Sequence, residues 1–363
     1  MTDPARPVFL FGSTPPREGT PIHKAKESCA KFAARSAVLA TDGFIVYDIQ
    51  DEGSRATTDR PFPFRKTMDP SLYASFFPPV SGKDCVVYKC VVENGPIELT
   101  EWLDRAVLDY GHGAFNLVGP ASSSQNNQQL SLSTAAGLVK ARRDCKFGCV
   151  AIAERHTIKG NEHQNLMRKA DFGAEWFITQ GIFAVGPIVQ LLNDYGDLCR
   201  AQGKVPKKVV LTFAPCGRAK TMSFIKWLGM HVPEDVEKRI FEAANPVGES
   251  IKILCEILST VLEQTHNSGV PLGINVESLS IFKEEIDAAH ELFQKLQAVL
   301  LGSAGSPWAV RWFFVDRPLR RDLASREHLR LAYVQKSASK EQPSNNSTVS
   351  TVTSPQPATP TPT

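Results

Sequence analysis

The chain of 363 residues carries 41 basic and 38 acidic side chains, a formal net charge of +3, and is 42% hydrophobic and 22% charged. That is enough apolar residue for one large domain or two ordinary ones, while the near-balanced charge, spread along the sequence, argues against a nucleic-acid or anionic-membrane partner. No hydrophobic stretch reaches the roughly 18 residues of a membrane span, and MTDPARPVFLFG has too short an apolar run for a signal peptide, so the cytoplasm is the expected compartment.

Val8 to Phe11 is an apolar run closed by Gly12-Ser13-Thr14-Pro15-Pro16, which reads as a first strand and its stop. From Pro21 to Ala40, apolar and small residues recur around Ala25, Cys29, Phe32, Ala33 and Ala37 at helical spacing. Phe44 to Tyr47 is a second strand running into the acidic loop Asp48 to Glu52, followed by the proline-rich segment Arg60 to Phe64 and a helix near 69–77. Cys85 to Cys90 is a third strand, and Ile97 to Tyr110 an acidic amphipathic helix. Ala114 to Val118 is a fourth strand, separated by the polar loop Gly119 to Gln129 from a helix over about 131–143.

Residues 148–180 show the repeating unit most clearly. The apolar run Cys149 to Ala153 breaks into a polar loop carrying Glu154, Arg155, His156 and Lys159, then a helical segment, then the apolar run Trp176 to Ile178. Short apolar runs separated by a helix read as parallel strands with a crossover, because a tight turn cannot join parallel neighbours. A helix from Pro187 to Gln202, a strand from Val209 to Phe213 and a helix ending at Leu228 follow. A short helix opens at Pro233, and a longer one over 246–265 presents Ile251, Leu254, Leu258 and Leu262 on one face. The eighth strand, Pro271 to Val276, ends at Glu277 before a helix over about 280–300.

Eight β-α units predict an α/β fold, a (β/α)8 TIM barrel over 1–303. Residues 304–334, with Trp308, Trp312, Phe313 and Phe314, are expected to strap onto it, and the Ser/Thr/Pro-rich stretch 335–363 to be a disordered tail. The eight cysteines fall mostly within expected strands and helices, include no C-x-x-C pair, and are expected reduced.

In such a barrel the ligand meets the loops at the C-terminal ends of the strands. Those loops carry Ser13, Thr14, Asp48, Gln50, Asp51, Glu52, Lys89, Ser122 to Gln125, Glu154, Arg155, His156, Gln180, Thr212, Arg218 and Glu277. Acceptors and cations around an apolar mouth suit a polar heteroaromatic ligand with an anionic tail. Glu154 and His156 are fit for proton transfer, or else pair with Arg155 or Lys159 and fix the loop. His156 and His163 with Cys145 or Cys149 match no usual zinc-ligand spacing, so no metal is expected.

Leu166-Met167-Arg168-Lys169-Ala170-Asp171-Phe172-Gly173-Ala174-Glu175, running into Ile178-Thr179-Gln180, resembles the methylenetetrahydrofolate reductases, and the likeness continues less closely from Pro206 to Ile240. The resemblance implies a barrel that passes hydride from NAD(P)H, through FAD, to 5,10-methylenetetrahydrofolate. It sets Lys169 near the FAD phosphates and Gln180 on the pterin ring, where an amide matches a paired donor and acceptor. The sequence also departs from that pattern. Gly12 stands where the family has a glutamate that protonates the folate, Val118-Gly119-Pro120 replaces an Arg-Gly-Asp triplet, and 214–220 lacks an aromatic to stack on the cofactor. The replacement acid is sought at Asp51, Glu52, Glu154 or Glu277. Glu52, Glu154 and Gln180 are the preferred catalytic residues, and Gly119, Ser122, His156, Arg168 and Lys169 the expected cofactor contacts. Two other readings stay open: a flavin-free NAD(P)H-dependent folate reductase, and an inactive folate- or flavin-binding barrel serving as a partner subunit. A homo-oligomer is compatible with all three.

Overall fold

Strands buried on both faces read as near-continuous apolar runs. The eight runs form β1 (Phe9–Ser13), β2 (Gly43–Val46), β3 (Cys85–Cys90), β4 (Ala114–Val118), β5 (Lys146–Ala151), β6 (Trp176–Gly181), β7 (Lys208–Phe213) and β8 (Leu272–Val276). The structure, a computed structural model, describes residues 1–51, 58–92, 95–119, 130–142 and 145–302. The strands pair in chain order, all parallel, and β1 closes on β8 through Phe9–Ile274, Leu10–Asn275 and Phe11–Val276. Between them run α1 (Ile22–Ser36), α2 (Pro70–Ala74), α3 (Phe77–Ser81), α4 (Pro96–Asp104), α5 (Leu132–Lys140), α6 (Ala153–Lys159), α7 (Glu162–Asp171) and α8 (Val185–Ala201). After β7 come α9 (Ala219–Trp227), α10 (Glu234–Glu242) and α11 (Pro246–Thr265), and α12 (Lys283–Gly302) follows β8. The chain folds as a (β/α)8 barrel. The strap and tail expected over 304–334 and 335–363 lie outside the described residues, and among the described residues no helix is long and apolar enough to cross a membrane.

Three elements differ from the sequence reading. The helix near 69–77 is two helices, because Pro78 and Pro79 lie in the first turn of α3, where a missing N–H costs nothing. The helix expected to reach Tyr110 stops at Asp104 and continues as a π-helical turn, Arg105–Asp109. The polar stretch after β5 is not a loop but α6, seven residues ended by Gly160 in the left-handed region at φ 65°. So short and polar a helix shows no apolar periodicity to read.

Successive strand side chains alternate between the barrel interior and the helical layer. Val8, Leu10, Ile45, Val86, Tyr88, Trp176, Ile178 and Val210 form the interior cluster, while Phe9, Phe11, Phe44, Phe115, Phe147, Phe177 and Phe213 pack outward among the helices. The largest interior side chain, Trp176, needs a gap to lie in. Gly148 supplies it: a Cβ there would stand 2.1 Å from the Trp176 indole nitrogen. The end of the barrel where the strands begin is closed by the N-terminal segment. Lys208, buried at the start of β7, donates to the carbonyls of Asp3 and Arg6 at 2.7 and 2.6 Å, and Met1 packs on the interior cluster. Seven of the eight cysteines are buried, and burial pushes the Cys149 thiol up to about 12.

Gly148→Ala is expected to push the Trp176 ring out of its place and cost about 1–3 kcal/mol by overpacking. Urea unfolding against the wild-type chain measures the loss.

Candidate active site

At the C-terminal ends of the strands, the apolar interior gives way to one polar cluster. Asn275, in β8, donates through Nδ2 to the Tyr47 hydroxyl at 2.8 Å and to Thr212 Oγ1 at 3.2 Å. The Tyr47 hydroxyl is hydrogen-bonded to the Glu277 carboxyl, and Tyr88 stands edge-on to Tyr47 with ring centroids 4.9 Å apart. Burial pushes the Glu277 carboxyl from its ordinary 4.5 up to about 7, against the hydrogen bond from Tyr47, which favours the charged form. Burial, and then the nearby Glu277 charge, hold the phenols of Tyr47 and Tyr88 well above their ordinary value of 10. Both therefore stay protonated, and Tyr47 can donate to a carboxylate.

This cluster accounts for the bare position at the end of β1. A Cβ on Gly12 would lie 2.8 Å from Tyr47 Cε2 and 3.0 Å from Glu277 Cβ. Tyr47 and Glu277 already fill the space that a strand-one side chain would take, so the carboxyl at this corner comes from the end of β8. Glu277 belonged to the sequence inventory without standing out from the other acids; its place beside Tyr47 and Gly12 distinguishes it.

Two asparagines leave polar atoms without protein partners here. Asn116, level with Tyr88 in the sheet and fully buried, has neither its Nδ2 nor its Oδ1 hydrogen-bonded, and Asn275 Oδ1 is likewise without a partner. Buried amides of this kind are satisfied by an ordered water or by the edge of a polar ligand.

Glu154 and Gln180 meet the same segment beyond α9: the His231 amide donates to Glu154 Oε1 and Gln180 Nε2 donates to the Leu228 carbonyl, both at 3.5 Å. Burial raises the Glu154 carboxyl above its ordinary value. Arg168 and Lys169, with Arg155, line a groove of about 740 Å³ beside Leu132 and Ser133 at the start of α5. Lys169 Nζ donates to the Val150 carbonyl at 2.7 Å and lies 3.4 Å from Glu162, while Arg155 is 3.7 Å from the same carboxylate. Glu162 is fully buried, and a charge so placed needs such partners. Arg168 is hydrogen-bonded to Asn165, and Gly119, the residue after β4, is half-buried near Leu132.

His156, expected as a cofactor contact, lies on α6 and is buried against α8, with Nε2 2.8 Å from Asp194 Oδ2 and its ring 5.0 Å from that of His163. Glu52 and Ser122 lie outside the described residues.

No protein-family model matches the chain, and no curated protein matches it. Among solved structures, it is similar to an uncharacterized protein from Clostridium thermocellum that binds two copies of 5-methyl-5,6,7,8-tetrahydrofolic acid. The two are 28% identical with a TM-score of 0.68, over 81% of this chain and 95% of that one. A GH113 beta-1,4-mannanase matches with a TM-score of 0.47 at 12% identity, over 80% of this chain and 98% of that one. An F420-dependent secondary alcohol dehydrogenase matches at 0.42 and 8%, over 80% and 99%.

Between pH 4.5 and about 7 the folded chain holds a proton on Glu277 that the unfolded chain has released. Stability contributed by this group is therefore lost as pH rises through that window. Glu277→Gln is expected to remove this slope and to gain stability relative to wild type above it, as read by denaturant unfolding on both sides of the window.

Proposed function

We propose that the chain binds a reduced folate in the mouth of the barrel and reduces 5,10-methylenetetrahydrofolate to 5-methyltetrahydrofolate with hydride from NAD(P)H. The observation that carries this reading is the Glu277 carboxyl, set against Tyr47 and pushed up by burial, at the corner where the reductase resemblance calls for an acid and Gly12 offers none. The conversion takes up one hydride and one proton. A carboxyl half-protonated near neutrality can deliver that proton and recover it from solvent, and Tyr47 steadies the carboxylate that remains. Asn116 and Gln180 supply amides that can pair with a pterin edge. The similar protein from Clostridium thermocellum binds the proposed product, which supports a folate as the ligand. A cytoplasmic role is part of the same proposal.

The groove beside α5 fits the charge of a flavin's diphosphate, since Arg155, Arg168 and Lys169 line it and one buried carboxylate, Glu162, faces only Arg155 and Lys169. Those three cations would hold FAD, which when bound would relay hydride between nicotinamide and folate. The flavin-free reading draws support from the same residues, since Arg155 and Lys169 are both engaged by Glu162.

Anaerobic oxidation of NADH and NADPH by the purified chain, with methylenetetrahydrofolate and with or without FAD, tests the reaction. Turnover is expected, and its dependence on FAD separates the two enzyme readings. Glu277→Gln is expected to lower kcat about 10²–10⁴-fold, the usual worth of a general acid, while calorimetry still detects 5-methyltetrahydrofolate. Folate binding by a wild-type chain that does not turn over would leave a binding barrel, and absence of binding would remove the folate reading.

A further inference from the structure

Away from the mouth, α6, α7 and α8 bring His156, His163 and Asp194 together. One ring nitrogen from each histidine and one carboxylate oxygen of Asp194 lie within 4.8 Å of one another. His156 is 1% exposed, and the two rings stand edge to face. The Nδ1 atoms of both histidines are buried with no hydrogen-bond partner. A hydrogen-bonded tie between helices would explain the 2.8 Å contact of His156 Nε2 with Asp194. It would not explain why two imidazoles are packed together with a nitrogen of each left unpaired, since a buried polar atom without a partner is costly.

We propose that His156, His163 and Asp194 form a binding site for a divalent transition-metal ion of the zinc class. Bond lengths of 2.0–2.2 Å to nitrogen or oxygen put neighbouring ligand atoms of a tetrahedral shell about 3.3 Å apart. The three candidate ligand atoms, all within 4.8 Å of one another, stand close to that spacing. Two imidazoles and one carboxylate suit zinc and its neighbours in the first transition row, whereas calcium and magnesium take oxygen ligands. Three protein ligands leave a fourth position for water or an incoming group. Asp194 is 43% exposed, which opens the site to solvent. The ligand set was hidden from sequence spacing because Asp194 lies 31 positions beyond His163, on another helix. The site is independent of the folate reading.

The test uses the full chain, stripped with a chelator and titrated with Co²⁺ and then Zn²⁺. One equivalent of Co²⁺ is expected to give the visible ligand-field absorption of a four-coordinate nitrogen and oxygen site, without a thiolate charge-transfer band, and to be displaced by Zn²⁺. Asp194→Asn and His163→Gln should each weaken binding at least about tenfold, since even outer-shell partners are worth that much, while His266→Gln, on the far end of α11, should leave it unchanged. Absence of a stoichiometric Co²⁺ spectrum, a thiolate band, or unchanged affinity in the variants would overturn the site. Circular dichroism of the metal-free variants checks that they fold. If His163→Gln does not, Asp194→Asn decides alone, its side chain being only partly buried.

Discussion

Closing eight parallel strands on themselves creates an interior that side chains alone must fill, and this constraint shapes the rest of the molecule. The volume is shared out in large and small pairs. Trp176 lies across Gly148, and Tyr47 with Glu277 lies across Gly12. Lys208 and the N-terminal segment close the end where the strands begin. The interior therefore opens toward the C-terminal ends of the strands, where polar residues gather. Position 12 illustrates how directly packing bears on chemistry, because a side chain there and the Tyr47 ring exclude one another.

Placing a carboxyl in this setting has a thermodynamic consequence. Glu277 is desolvated enough to favour its neutral form, and one phenolic hydrogen bond offsets only part of that preference. A group balanced between its two states near neutral pH weakens the fold at the upper end of the range and is suited to proton transfer there. The tyrosines beside it move the other way in function: burial keeps them protonated, so they act as fixed donors. The same desolvation acts on all three groups, and their different ordinary values separate a proton carrier from its support.

The segment from β5 to α8 carries a second layer of polar design, outside the strands. Glu162 is buried at the start of α7 and draws in Arg155 from α6 and Lys169 from one helical face further along. That arrangement anchors the helix pair against the Val150 carbonyl at the end of β5. The same two helices present His156 and His163 to Asp194 on α8. A stretch that reads as a simple polar connection thus holds an ion network on one side and an imidazole pair on the other.

The amino-acid sequence by itself determined the barrel. Eight apolar runs, each followed by a turn signal and helical spacing, leave little choice of fold, because period-2 and period-3.6 patterns are local and survive without knowledge of neighbours. It also determined which side chains end the strands, and Gln180 and Glu154 do converge, on the segment 228–231. Tertiary structure decided what those side chains are. Glu277 and Glu154 are alike as letters after apolar runs, and it is burial in the folded chain that raises both carboxyls, Glu277 up to about 7. The partner of His156, Asp194 on α8, is likewise seen only once the helices pack. Gly12 looks like a loss until the Tyr47 ring is seen in its place. In each case the deciding quantity is the distance to, or desolvation by, a residue far away in the chain, which no local pattern encodes.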